Sequence, residues 1–296
     1  MTNARHHKPL AIDIIEVGPR DGLQGLAPIS TTQRLALVAL LTKAGLSHIE
    51  VGALVSPQRI PAMAESDIVL SQVLKMKPES PFIASVLVPN MRGAERAIAL
   101  GAKHLAIFTA VSDTFCQKNI HCSLAQSLAR FYPIIELAKR HQITVRGYLS
   151  CITDCPFEGA MSATKTASVA NALYQMGCDE ISLGDTLGKA TPTAIERVLS
   201  RVLTAIPAHA LAGHYHDTYG MALVNVARSI EMGLTRFDTS AGGLGGCPYA
   251  PGAAGNLATE TLAWYCQQEG IATGVNVNQL KADITQWKAN IGITSS

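Results

Sequence analysis

The chain has 296 residues, 48% of them hydrophobic and only 16% charged. Intrinsic disorder, which needs low hydrophobicity and high net charge, is therefore excluded. The 24 Lys and Arg stand against 22 Asp and Glu, a balance that offers no basic stripe to a nucleic-acid backbone.

The N-terminal cluster Arg5-His6-His7-Lys8 reads as solvated and is expected to lie in a frayed tail over residues 1–10. Pro9-Leu10-Ala11-Ile12 then meets Asp13 without forming the apolar stretch of a secretory signal. Seven cysteines, an odd number, suit a reducing compartment better than a disulfide framework, so a cytoplasmic location is expected. From here a strand-like apolar run followed by a helix-like segment recurs. The runs are residues 12–17, 48–51, 82–88, 104–108, 144–149, 180–183, 210–216 and 236–239, spaced by roughly 30 residues, the size of one βα unit. The clearest helical pattern is 123–141, where Leu124, Leu128, Phe131, Ile135 and Ala138 keep a helical period behind Ser123 as N-cap. A second spans 191–206, with Thr191 as N-cap and Pro192 at the first helical position. Gly45, Gly101, Gly177 and Gly233 stand where helices stop before the next strand. The longest uncharged run, residues 239–259, holds six glycines and two prolines and reads as a loop. It is not the span of ~20 apolar residues that a membrane requires.

Eight alternating strands and helices predict one (β/α)8 TIM barrel domain over the whole chain. A doubly wound sheet is the competitor, but Gly18-Pro19-Arg20-Asp21-Gly22 lacks the dinucleotide glycine spacing. Gly184-Asp185-Thr186-Leu187-Gly188-Lys189-Ala190 is one residue short of a phosphate loop and ends in Ala190 instead of Ser or Thr.

In such barrels the reacting groups come from the C-terminal ends of strands. Those ends carry Arg20, Asp21 and Gln24 after the first run, Glu50 in the second, Tyr148 in the fifth, and Ser182, Asp185 and Thr186 in the sixth. The seventh carries His214 and His216, which share one face of a strand and can reach a common ion. A lone histidine is more often a satisfied core residue; two at this spacing favour a ligand pair, which Asp21 can complete. Imidazole with carboxylate suits Mn²⁺, Co²⁺ or Zn²⁺ well and Mg²⁺ tolerably. Cys151 and Cys155 match neither zinc nor thioredoxin spacing and read as structural, as do Cys116, Cys122, Cys178 and Cys266. Cys247 differs, because its glycine-rich loop permits close approach to a ligand.

Several segments resemble the signatures of the 3-hydroxy-3-methylglutaryl-CoA lyase family. They are Glu16-Val17-Gly18-Pro19-Arg20-Asp21-Gly22-Leu23-Gln24, His214-Tyr215-His216-Asp217-Thr218-Tyr219-Gly220 and Gly243-Leu244-Gly245-Gly246-Cys247-Pro248-Tyr249-Ala250. Arg146-Gly147-Tyr148-Leu149-Ser150-Cys151 and Ser182-Leu183-Gly184-Asp185-Thr186 match as well. The resemblance implies retro-Claisen cleavage of the methylglutaryl thioester to acetyl-CoA and acetoacetate. It implies Mg²⁺ or Mn²⁺ held by Asp21, His214 and His216, with Asn256 as a further ligand or orienting group. It also implies Arg20 at the enolate oxygen, Cys247 as proton donor to carbon and Glu50 as electrostatic support. Gln24, Tyr148, Ser182, Asp185 and Thr186 would line the substrate cavity, and the enzyme would be a homodimer acting on an acyl-CoA, with neither nucleic acid nor membrane as partner.

The chain departs from the family in the loop after the second strand. Ala53-Leu54-Val55-Ser56-Pro57-Gln58-Arg59-Ile60-Pro61 lacks the aromatic pair usual there. The same chemistry on a longer or differently branched 3-hydroxyacyl-CoA therefore stays open. A Claisen-condensing acyltransferase is the alternative from another class, and the Cys247 loop speaks against it.

Overall fold

The computed structural model describes residues 9–246 and 255–293, and within them the eight apolar runs become eight parallel strands. They are β1 (Asp13–Glu16), β2 (His48–Ala53), β3 (Ile83–Leu87), β4 (His104–Ala110), β5 (Thr144–Ser150), β6 (Glu180–Asp185), β7 (Leu211–Tyr215) and β8 (Arg236–Thr239). Each pairs with its neighbours in sequence, and β8 closes on β1 in the register Asp13–Arg236 to Glu16–Thr239. The sheet therefore has no free edge, and the architecture is the expected (β/α)8 barrel. One small addition interrupts the alternation, a two-residue antiparallel ladder of Asp154–Cys155 with Gly159–Ala160 after β5.

The local signals act as their chemistry requires. Ser123 accepts from the Gln126 amide while the Gln126 side chain returns to the Ser123 N–H, so helix Leu124–Arg140 starts in a capping box. Such a cap contributes about 1 kcal/mol. Thr191 caps helix Pro192–Val202 by accepting from the Ala194 amide at 3.3 Å, although the periodic pattern runs on past that helix to Ile206. Gly45, Gly101, Gly177 and Gly233 all take positive φ, between 93° and 107°, the left-handed geometry of a C-terminal cap. At the N-terminus the Leu10 carbonyl accepts from Ala272 at 3.0 Å, so the expected tail is already pinned at its last residue. Residues 1–8 lie outside the described residues. Among the described residues, no helix is long and apolar enough to cross a membrane.

Two interiors result. The apolar core fills the layer between sheet and helices, with Ile49, Leu105, Leu149 and Ile181 of the strands buried in one cluster with Leu41, Phe131, Leu173 and Ile195 of the helices. Each fully buried side chain of this kind contributes ~1.5–3 kcal/mol, so this layer carries the fold. The barrel lumen is polar. Tyr148 donates to Glu50 on β2 and accepts from Arg146, and Arg146 pairs with Asp238 on β8. Strands β5 and β8 are not neighbours in the sheet, so the Arg146–Asp238 bond crosses the interior. Branched apolar layers commonly fill such barrels; here ion pairs do. Removing one partner of a buried pair costs about 3–5 kcal/mol, so these charges stand or fall as a set.

Candidate metal and active site

Directly after β1, Gly18–Gly22 forms one wide turn of helix in which the amides of Arg20, Asp21 and Gly22 all point at the Val17 carbonyl (3.1, 2.7 and 3.2 Å). Wide turns of this kind gather at functional sites. Pro19 suits the first turn because a proline has no N–H to leave unpaired there. Both Arg20 and Asp21 are buried. Arg20 Nε donates to Glu50 Oε2 and Nη1 to Asp21 Oδ1, each at 2.6 Å. Its guanidinium lies 4.8 Å from the centroid of the Tyr148 ring, whose other guanidinium neighbour is Arg146 at 4.9 Å. Burial works against the charge on Arg20, but Glu50 and Asp21 more than restore it. Nη2 makes no hydrogen bond among the described residues and is the part of the fork left over. Tyr148 stays a protonated donor, because burial above all raises its pKa.

Asp21 is the hinge between this arginine and the two histidines. Its Oδ1 accepts from Arg20 and from Gln24 Nε2 (2.8 Å), and its Oδ2 accepts from Asn256 Nδ2 (2.8 Å). His214 Nε2 stands 4.0 Å from that same Oδ2, too far for a hydrogen bond. Asp21, His214 and His216 each offer a ligand atom, and the three atoms lie within 4.8 Å of one another, all buried. The donor set fits a divalent cation. Burial would raise the Asp21 pKa, but Arg20, His214, His216 and Asn256 outweigh it and hold the carboxyl below its usual range. Burial first, and then His214, pushes His216 down to about 4, so its imidazole is neutral near pH 7, the form that binds metals. Its Nδ1 is buried without a hydrogen-bond partner, a state that a ligand would relieve.

Asn256 also donates to the Leu244 carbonyl at 3.2 Å, tying the far foot of the glycine loop to its near foot. Gly245 lies where no side chain fits: its φ is +97°, and a Cβ would stand 2.8 Å from Asn256 Nδ2 and 3.0 Å from the Asp21 carbonyl. Glycine here lets the loop press against the Asp21 turn. Cys247 itself lies outside the described residues.

The sixth strand presents a different picture. Ser182 donates to Asp238 at 2.7 Å. Asp185 accepts from the Ala190 amide at 2.9 Å and the Lys189 amide at 3.3 Å, shaping its own loop, and burial pushes its pKa up to about 6. Thr186 accepts from the Cys151 amide at 2.9 Å. These three polar side chains, expected around the substrate, are engaged by the protein itself. Cys151 and Cys155 sit in a small buried apolar cluster with Phe115 and Cys116, in keeping with a structural role.

Sequence reasoning passed over three groups that the structure makes prominent. Asp238 accepts from His214 Nδ1 at 2.9 Å, and Arg146 also faces Glu180 in a 2.5 Å ion pair. Glu16 accepts from the amides of Gly18 (2.8 Å) and Ala241 (3.0 Å) and from Thr259 (2.6 Å). The available signal is polar or charged residues at alternate positions of one strand, as in Arg146 and Tyr148, Glu180 and Ser182, or Arg236 and Asp238.

Comparison with known proteins gives one answer. A family model described as HMGL-like matches residues 11–285. The human mitochondrial hydroxymethylglutaryl-CoA lyase is 48% identical over 274 residues, covering 92% of this chain and 83% of that protein. A Pseudomonas aeruginosa protein named 3-hydroxy-3-isohexenylglutaryl-CoA/hydroxy-methylglutaryl-CoA lyase is 45% identical over 92% of this chain and 90% of its own. The crystal structure of a hydroxymethylglutaryl-CoA lyase from Pseudomonas aeruginosa superimposes with a TM-score of 0.92 at 44% identity, covering 97% of this chain and 95% of that one. Sequence match and barrel agree, and the chain belongs to the HMGL-like family.

Proposed function

We propose that the protein is a carbon–carbon lyase that cleaves 3-hydroxy-3-methylglutaryl-CoA to acetyl-CoA and acetoacetate. The observation that carries this reading is the juxtaposition of Arg20, with Nη2 unspent, and the buried set Asp21, His214 and His216. In the reaction the tertiary hydroxyl loses its proton, its oxygen becomes the ketone of acetoacetate, and the bond to the thioester α-carbon breaks. The electron pair of that bond passes to the α-carbon as an enolate, which then takes up a proton, so the net change moves one proton from oxygen to carbon. Asp21, His214 and His216 would hold Mg²⁺ or Mn²⁺, with Asn256 fixing the Asp21 carboxylate. Such a cation supplies Lewis acidity that eases loss of the hydroxyl proton. Arg20 would offer Nη2 to the enolate oxygen, as an oxyanion hole does, while Glu50 and Tyr148 keep its guanidinium in place. Cys247 would return the proton to carbon. Gln24 is held against Asp21, so its place in substrate binding would be beside the carboxylate.

A second reading concerns the acyl group. The Pseudomonas aeruginosa relative is named for both isohexenyl and methyl substrates. In this chain Gln58 and Arg59 are exposed in the loop after β2, and Leu54, Val55 and Ile60 pack partly against the core. We infer that acyl groups longer than methylglutaryl are accepted there. A homodimer is part of the same proposal, read as twice the 31.3 kDa chain mass in light scattering. The deciding experiment offers a panel of 3-hydroxyacyl-CoA thioesters with Mg²⁺ or Mn²⁺ and identifies products by mass spectrometry. Acetyl-CoA and acetoacetate in equal amounts from the methylglutaryl thioester support the lyase; products only from acetyl-CoA with 2-oxo acids would make it a condensing enzyme.

A further inference from the structure

The two histidines of the candidate cation site are not supported alike. His214 Nδ1 meets Asp238 Oδ2 at 2.9 Å, whereas Nδ1 of His216 is buried with no partner. Asp238 lies wholly inside the barrel lumen on β8. Its Oδ1 is paired with Arg146, and its Oδ2 takes a second hydrogen bond, from Ser182 at 2.7 Å. Arg146 is in turn braced by Glu180 at 2.5 Å and by the Tyr148 hydroxyl at 3.1 Å. A carboxylate paired with a guanidinium in this way is an acceptor only. The hydrogen in its bond to His214 must therefore sit on Nδ1, which in the neutral imidazole that binds metals leaves the lone pair on Nε2, the nitrogen 4.0 Å from Asp21. Carboxylates behind metal-binding imidazoles fix the tautomer and the ring in this manner.

We propose that Asp238, braced by Arg146, is a positioning residue that presets His214 as an Nε2 ligand, so that the cation site is half preorganised before any ion arrives. His216 is left to be oriented by the ion itself. Asp238 touches neither the proposed ligand position nor the substrate; it acts only through His214. The proposal rests on the lyase reading for its catalytic meaning, but its test needs no substrate.

The test has two arms on the full chain stripped of metal. In ¹⁵N-histidine-labelled wild type, the ring-nitrogen shifts near neutral pH should show His214 as the single Nδ1–H tautomer and His216 as an average of the two. In Asp238→Asn, verified as folded by circular dichroism, His214 should lose that single tautomer. Mn²⁺, followed by calorimetry or its electron spin resonance, should then bind ~10–100-fold more weakly, the usual consequence of losing such a partner. Asp238→Glu should recover part of that affinity. A His214 that is averaged or Nε2–H in the wild type would overturn the proposal, even if no variant folds. So would wild-type Mn²⁺ affinity in a folded Asp238→Asn protein. Failure of the wild type to cleave the thioester would instead remove the functional reading and leave the preset imidazole standing.

Discussion

The two flanks of the barrel mouth both carry polar side chains and treat them differently. On the flank made by β6, Ser182, Asp185 and Thr186 spend their oxygens on Asp238, on two loop amides and on the Cys151 amide. On the flank made by β1, β2 and β7, two buried polar atoms are left over, His216 Nδ1 and Glu50 Oε1, beside an Arg20 Nη2 with no hydrogen bond among the described residues and an Asp21 that His214 approaches only to 4.0 Å. An unpaired buried polar group costs about 1–3 kcal/mol. The fold tolerates such groups at His216 and Glu50 and has none at Ser182, Asp185 or Thr186. Satisfied groups build the scaffold, and unsatisfied ones mark where a ligand completes the chemistry.

Mutation should separate the two flanks by its effect on kcat. The largest effect is expected at Arg20. Arg20→Gln removes the donor left for the enolate oxygen and should lower kcat ~10²–10³-fold, the scale of one oxyanion donor. It also strands Glu50, so a stability loss of up to about 3–5 kcal/mol should accompany it in urea melts. Steady-state kinetics on the folded fraction decide the matter; an unchanged kcat with a raised KM would reduce Arg20 to an anchor. Next comes Cys247→Ala, for which we expect normal Mn²⁺ binding and a fall in kcat of at least ~10²-fold, the scale of a proton-transfer group. Turnover near wild type would take this thiol out of the mechanism.

The β6 flank should respond in stability. Asp185→Asn weakens the acceptor of two loop amides and should cost about 1–3 kcal/mol in unfolding free energy, a larger effect than the one on kcat. A kcat loss as deep as that of Arg20→Gln, with stability intact, would erase the distinction between the flanks.

The last effect is a slope. Burial, opposed by hydrogen bonds from Thr259, Ala241 and Gly18, pushes the Glu16 pKa from 4.5 up to about 7. Between those values the folded state binds more proton than the unfolded one, so stability falls as pH rises through this window. Glu16→Gln cannot titrate and should remove that part of the decline. Urea denaturation from pH 4.5 to 7 compares the two proteins, and parallel curves would show that Glu16 contributes no such linkage.

Much of this was legible in the sequence. The apolar runs predict each barrel strand to within a few residues, and Ser123, Thr191 and the four capping glycines mark helix ends because their signals are local. The convergence of Asp21 with His214 and His216 follows from strand-end position and the period of two in a strand. What escaped is the lumen. Asp238, Arg146 and Glu180 bond across a closed sheet, and a single sequence carries the inward charges of each strand without saying which strand they face. The fates of Ser182 and Asp185 escaped for the same reason. A hydroxyl or carboxylate at a strand end is equally suited to a substrate and to a neighbouring strand or loop, and only packing decides.

The most direct test of the account couples metal occupancy to cleavage in one sample. Mn²⁺ is titrated into metal-free enzyme while bound ion is counted by electron spin resonance and acetoacetate release from the methylglutaryl thioester is followed. The account predicts a rate that rises in proportion to bound ion, saturates at one ion per chain, and is absent in Asp21→Ala, whose ligand set is broken. Full cleavage by metal-free enzyme, or by Asp21→Ala with the site empty, would contradict it.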